Sequence, residues 1–202
     1  MLIKICGIRS LRDAEAAVAA GADLLGFVFV EGTPRDLSPS QAGWIRDLKG
    51  AATVGVFRDS ALDRILEIRD ALGLAWVQLH GSESDAWFDA LGPKVIRRIP
   101  VPQTGADRSR VETLNQRGVL PLVDPGAGDG APCDWEALAQ RLGGLDFGLA
   151  GGLTPETVAD AVRIARPAMV DVSSGVERAP GIKDHAKIRA FIRKANAAAT
   201  SG

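Results

Sequence analysis

The chain has 202 residues, of which 46% are hydrophobic and 24% charged, enough for one substantial core and against overall disorder. Its 24 basic and 25 acidic side chains leave a formal net charge of −1, so no global field draws it to nucleic acid or to an anionic membrane, and any anion has to be held by a local site. No apolar run approaches the roughly 20 residues of a bilayer span, the N-terminus lacks a signal-peptide pattern, and Cys6 and Cys133 form neither a Cys-x-x-Cys pair nor a disulfide framework; a cytoplasmic protein is expected.

The first apolar run, Leu2 to Cys6, reads as a strand, the amphipathic stretch Leu11 to Ala20 as a helix, and Leu24 to Val30 as the next strand. The alternation continues with strands at Thr53 to Phe57, Trp76 to Leu79, Lys94 to Ile99, Val119 to Val123, Phe147 to Ala150 and Ala168 to Val172. Helices are predicted between them at Gln41 to Leu48, Leu62 to Leu72, Asp85 to Leu91, Arg108 to Gln116, Trp135 to Leu142 and Glu156 to Ala165, with a last one at His185 to Ala195. Helix starts are marked by Ser10 before Asp13, by Ser38-Pro39 with Gln41, and by Thr154-Pro155-Glu156, because a cap oxygen accepts a backbone N–H that the first turn leaves unpaired. Strict β–α alternation implies a parallel sheet covered by helices, and eight units favour a closed barrel over an open doubly wound sheet. The expected fold is therefore α/β: a single (β/α)8 TIM barrel spanning 1–202, eight-stranded and parallel. It would be compact with few insertions, since about 250 residues is typical. The polar stretch from Pro100 to Asp107 reads as a loop rather than a boundary.

In such a barrel the C-terminal ends of the strands and the loops after them carry the chemistry. Those ends present Cys6, Arg35, Gln78, His80, Arg97, Arg98, Asp124 and Asp171. Gly151 and Gly152 lie where the seventh strand hands over to a helix, and Ser173, Ser174 and Gly175 follow the eighth. Lone glycine pairs commonly serve only tight turns, but two such turns in consecutive units favour a phosphate site, with amides and hydroxyls as donors. Cys6 is either a small apolar filler or, if partly exposed beside a positive charge, a base. Asp124 is either a turn-initiating residue before Pro125-Gly126 or a half-buried general acid. Arg35 is either a solvated loop residue or a two-pronged carboxylate ligand. His80 has no second histidine near it, so no metal site is expected.

Together these segments resemble phosphoribosylanthranilate isomerase, from Lys4 to about Asp184. The similarity is carried by Lys4-Ile5-Cys6-Gly7-Ile8, Gly21-Ala22-Asp23, Gly26-Phe27-Val28-Phe29, Thr33-Pro34-Arg35, Val54-Gly55-Val56-Phe57, Gln78-Leu79-His80-Gly81, Asp134-Trp135, Ala150-Gly151-Gly152-Leu153, and Asp171-Val172-Ser173-Ser174-Gly175-Val176-Glu177 with Pro180-Gly181 and Lys183-Asp184. Each segment is weak alone; their number and order are specific. The resemblance implies an Amadori rearrangement in tryptophan biosynthesis with Cys6 as general base and Asp124 as general acid. It further implies Arg35 at the anthranilate carboxylate, phosphate held by Gly151, Gly152, Ser173, Ser174 and Gly175, and Gln78, His80 and Asp171 lining the pocket. The partner implied is a small phosphorylated aminosugar, with no metal, redox cofactor, nucleic acid or membrane. Polar outer helix faces fit a monomer or a homodimer. The alternatives are a non-catalytic phosphosugar-binding barrel and another phosphosugar isomerase or epimerase. The chain departs from the family pattern at Gly126 to Cys133, where a Gly-Gly-(Thr or Ser)-Gly stretch is usual, at Asp36-Leu37, and at Arg9.

Overall fold

Alternation along each strand sorts side chains to two faces, and the chain uses both. In β1 (Leu2–Cys6), Ile3 and Ile5 are fully buried among the apolar residues of the surrounding helices, whereas Lys4 and Cys6 face the other way. The computed structural model describes residues 1–100, 107–124 and 134–200. In them β1 is joined by β2 (Leu24–Val28), β3 (Ala52–Phe57), β4 (Trp76–Leu79), β5 (Val95–Pro100), β6 (Leu120–Asp124), β7 (Gly148–Leu149) and β8 (Met169–Val172), each hydrogen-bonded in parallel to the next. Closure comes from β1 against β8, with Lys4 in register with Asp171. The expected eight-stranded parallel barrel is what forms. Leu24, Val54, Ile96, Leu122 and Met169 fill its interior, and Cys6, Val28 and Val56 form a smaller cluster above them.

The helices α1 (Leu11–Ala20), α2 (Leu62–Leu72), α3 (Phe88–Leu91), α4 (Arg108–Gln116), α5 (Trp135–Leu142), α6 (Val158–Ala165) and α7 (His185–Ala199) cover the outside. Ser10 caps α1 by accepting from the Asp13 amide at 3.1 Å, as its position predicts. Two predicted helices are not full α-helices. Gln41 to Leu48 forms 3-10 turns at Pro39–Gln41 and Gly43–Asp47, and the Ser38 side chain makes no cap bond. Gly43 weakens helix propagation in the middle of that stretch, yet Ala42 and Ile45 still bury and Trp44 meets Phe27 edge-on at 5.7 Å. Asp85 to Leu91 splits into a 3-10 turn, Asp85–Trp87, and a single turn of α3, which Gly92-Pro93 then stops. The helix placed from Glu156 starts as α6 at Val158, because Thr154 and Thr157 first build a turn: Thr154 Oγ1 accepts from the Glu156 amide and Thr157 Oγ1 from the Thr154 amide. A two-stranded hairpin, β9 (Glu177–Ala179) and β10 (Ile182–Lys183), follows β8. The interior of the loop predicted from Pro100 to Asp107, and the Gly126 to Cys133 departure, lie outside the described residues.

The helix α7 closes the ring of helices against α1 and α6 through the buried Ile188, Phe191, Ile192 and Ala195. Truncating Phe191 to Ala leaves a large cavity there and is expected to cost about 3–5 kcal/mol. Arg189→Ala, at an exposed position of the same helix, is expected to stay within about 0.5 kcal/mol of the parent. Urea denaturation of both variants checks the pair.

Candidate active site

The strand ends open into a cavity of about 400 Å³, lined from β1 by Cys6, from β4 by Gln78 and His80, from β5 by Arg98, from β6 by Asp124, and from β8 and its loop by Asp171, Ser173 and Ser174. The loops after β2, β3 and β7 contribute Arg35, Arg58, Gly151 and Gly152. All but two of the residues singled out from sequence at these strand ends and turns therefore meet in one place; one is Arg97, which turns away from the cavity. The other is Gly175, which is not among the lining residues; a Cβ there would stand 1.9 Å from the Leu153 carbonyl oxygen. Its missing side chain lets the loop after β8 lie directly on the loop after β7. Gly151 and Gly152 take φ of +82° and +66°, the left-handed region that a side chain disfavours.

Arg97 and Arg98 are separated by the pleat. Arg98 points inward, its Nε donating to Asp124 Oδ2 at 3.3 Å. Arg97 points away and donates to the buried Glu83 at 2.8 Å. Glu83 also accepts from the amides of Asp59 and Gly81 at 2.7 and 2.8 Å, so one carboxylate ties together the loops after β3 and β4. Asp124 is thus both nearly buried, which favours a neutral carboxyl, and beside a guanidinium, which favours a carboxylate. Burial alone was the expectation from sequence; Arg98 adds the second influence.

His80 sits between Gln78 and Asp124, with Nδ1 3.4 Å from Gln78 Nε2 and Nε2 3.8 Å from Asp124 Oδ2. Burial, reinforced by the positive charges of Arg98, Lys4, Arg58 and Arg97, pushes its pKa down from 6.5 to about 4. The ring is therefore neutral at physiological pH. Gln78 Oε1 is buried and accepts no hydrogen bond from any described residue, an unused acceptor at the cavity wall.

Arg35 does not wait as a free cation. It forks onto Glu177, with Nε and Nη2 each donating at 2.8 Å. The same carboxylate accepts from the buried Lys183 at 2.8 Å, and Lys183 also donates to the Ser173 carbonyl at 3.0 Å. Ser173 Oγ donates in turn to the Cys6 carbonyl at 3.1 Å. One polar chain therefore joins the loop after β2, the hairpin after β8 and the mouth of β1. Gly7 leaves space for it, since a Cβ there would lie 2.7 Å from Arg35 Cδ and 3.0 Å from Ser173 Oγ.

Sequence reasoning did not single out Lys4, Arg58, Glu177 or Lys183. For Lys4 a signal existed: a lysine two residues before Cys6, in an otherwise apolar strand, must share the cysteine's face. It is fully buried, and its Nζ lies 3.0 Å from Asp171 Oδ1. Cys6 is 8% exposed. Burial pushes its thiol up, while the Lys4 charge pulls against that shift.

The low pKa of His80 carries a stability consequence. Unfolded, the ring takes up a proton below about 6.5; folded, it refuses one until about 4. The unfolded state therefore binds more protons across that window, and stability is lost as pH falls through it. Urea denaturation from pH 7 to pH 4 is expected to show a shallower loss for His80→Asn than for the parent.

Comparison with known proteins places the chain in a family. Residues 3–194 match the family model described as N-(5'phosphoribosyl)anthranilate (PRA) isomerase. The N-(5'-phosphoribosyl)anthranilate isomerase of Roseiflexus castenholzii is 42% identical over 214 residues, covering 98% of this chain and 100% of that one. The crystal structure of phosphoribosyl anthranilate isomerase from Thermotoga maritima superposes with a TM-score of 0.84 at 37% identity, covering 98% of this chain and 100% of that one. A structure of the isomerase in complex with reduced 1-(o-carboxyphenylamino)-1-deoxyribulose 5-phosphate matches with a TM-score of 0.82 at 36% identity, with the same coverage. At these identities, over nearly the full length, this chain belongs to the N-(5'-phosphoribosyl)anthranilate isomerase family.

Proposed function

We propose that this chain converts N-(5'-phosphoribosyl)anthranilate to 1-(2-carboxyphenylamino)-1-deoxyribulose 5-phosphate, an Amadori rearrangement and the third step of tryptophan synthesis from chorismate. The observation that carries the reading is the sharing of one cavity by Cys6 of β1 and Asp124 of β6, with the glycine turn after β7 and the serine turn after β8 on the strands between them. A phosphosugar anchored by those turns would lie with a thiol on one side and a carboxyl on the other.

In this reading a protonated Asp124 gives its proton to the ribose ring oxygen as the C1–O bond opens. The anilino nitrogen supplies its electron pair and becomes an iminium, which acidifies the hydrogen on C2. Cys6, as thiolate, removes that proton and leaves an enolamine. Return of a proton to C1 and loss of the O2 hydroxyl proton give the ketone, so the atoms and electrons of substrate and product balance. Gly151, Gly152, Ser173 and Ser174 hold the phosphate, while Gly175 acts by letting their two loops meet. Arg35, with two of five donors committed to Glu177, has three left for the anthranilate carboxylate. Gln78 Oε1 accepts from a sugar hydroxyl, neutral His80 packs beside it, and Asp171 lines the pocket with them. The chain works as a monomer or a homodimer on a small phosphorylated substrate. A cytoplasmic location belongs to the same proposal, since the unpaired thiol of Cys6 needs a reducing compartment.

Turnover is followed by the loss of phosphoribosylanthranilate fluorescence, with substrate made from anthranilate and phosphoribosyl pyrophosphate. Cys6→Ala and Asp124→Asn are each expected to lower kcat by about 10²–10⁴-fold with little change in KM. Unchanged turnover in either variant removes that residue from its role, and faster conversion of another phosphosugar overturns the substrate. Arg35→Lys is expected to act on binding instead, raising KM about tenfold for the loss of a forked, charge-assisted contact.

A further inference from the structure

The barrel interior holds a charged group for which the mechanism above has no direct use. Lys4 is wholly enclosed, and an ammonium there is costly even when paired. Exchanging such a buried pair for apolar residues is often neutral or stabilising, so the Lys4–Asp171 pair is weak evidence for stability. Its position suggests a different role. A Cβ built on Gly26 would lie 2.8 Å from Cys6 Sγ and 2.9 Å from Lys4 Nζ, so thiol and ammonium crowd the same bare Cα of β2. Gly26 has no unusual backbone angle; its lack of a side chain provides space.

We propose that Lys4 is a positioning residue for the base: its ammonium, held by Asp171, is the counter-charge against which Cys6 holds its thiolate. The proposal rests on the reading of Cys6 as the base. In the free enzyme the S–H bond breaks, the electron pair stays on sulfur, and the proton leaves through the cavity mouth to solvent. Thiolate, ammonium and carboxylate then carry a combined charge of one negative unit. That group faces the single positive charge of the iminium, and it becomes neutral once the C2 proton is on sulfur.

The charged groups facing Cys6 come from each neighbouring element. Lys4 lies on β1 itself, Asp171 on β8, Lys183 on β10, and Arg35 on the loop after β2. Burial raises the thiol, Lys4 is the strongest opposing influence, Asp171 works with burial, and Lys183 works weakly with Lys4. Arg35 and Lys183 share Glu177, whereas Lys4 shares with Cys6 the space over Gly26 and is the cation best placed to act.

The experiment measures the rate at which iodoacetamide alkylates Cys6, without substrate, across about pH 6–10, in a Cys133→Ala background so that Cys6 is the remaining thiol. In Lys4→Met the rise in alkylation is expected to move to higher pH, with a rate about tenfold lower at neutral pH, and the acidic limb of kcat/KM should move with it. In Asp171→Asn the competing carboxylate is gone and Lys4 remains, so the same rise is expected to move to lower pH. A merely structural role for the pair would not shift the two variants in opposite directions. An alkylation profile unchanged in both, or moved the same way in both, overturns the proposal. If Lys4→Met does not fold, the direction of the Asp171→Asn shift decides. Turnover by the parent and its loss in Cys6→Ala test the function separately, so failure of one reading is distinguishable from failure of the other.

Discussion

Everything at the mouth of this barrel is organised around charge taken out of water. Lys4 and Asp171 face each other at 3.0 Å across the β1–β8 seam, where an uncompensated ion would cost several kcal/mol. The pair is tolerable because the two strands that close the barrel hold it in register. Around it further charges are paired: Arg98 with Asp124 on the adjacent strand, Arg97 with Glu83, and Lys183 and the distant Arg35 with Glu177. The site is a set of interlocked ion pairs on a rigid sheet, and that rigidity is what holds reacting groups in place.

The architecture was legible because it depends on periodicity. Apolar runs of four to seven residues alternating with amphipathic stretches leave little besides a parallel sheet wrapped in helices, and the eight strands fall where the apolar runs do. The errors came where local chemistry competes with a helical pattern. Gly43 and the Pro39 start turn one predicted helix into 3-10 segments, and Gly92-Pro93 limits α3 to a single turn. Buried side chains at Ala42, Ile45 and Phe88 keep their places all the same. Burial on one face was readable; the hydrogen-bond pattern that delivers it was not.

For the site, strand ends were readable and partners were not. Cys6, Gln78, His80, Asp124 and Asp171 follow from position on a strand, and the cavity contains all of them. The ligation of Arg35 by Glu177 joins residues 142 apart in sequence, and no spacing rule reaches that far. Gly175 shows the same limit: its close approach to the backbone of the neighbouring loop is not visible in the turn sequence. Lys4 is marked only by the alternation of β1, which puts it on the same face as Cys6.

The seam between β1 and β8 also governs when the site can exist during synthesis. Asp171 follows Lys4 by 167 positions, so it is synthesised on the order of ten seconds later at ordinary elongation rates. Until then the inward face of β1 carries an amine and a thiol with nothing to close over them. The barrel cannot be closed progressively along the chain: β1 must wait for β8, and until then its edge stays unpaired on that side.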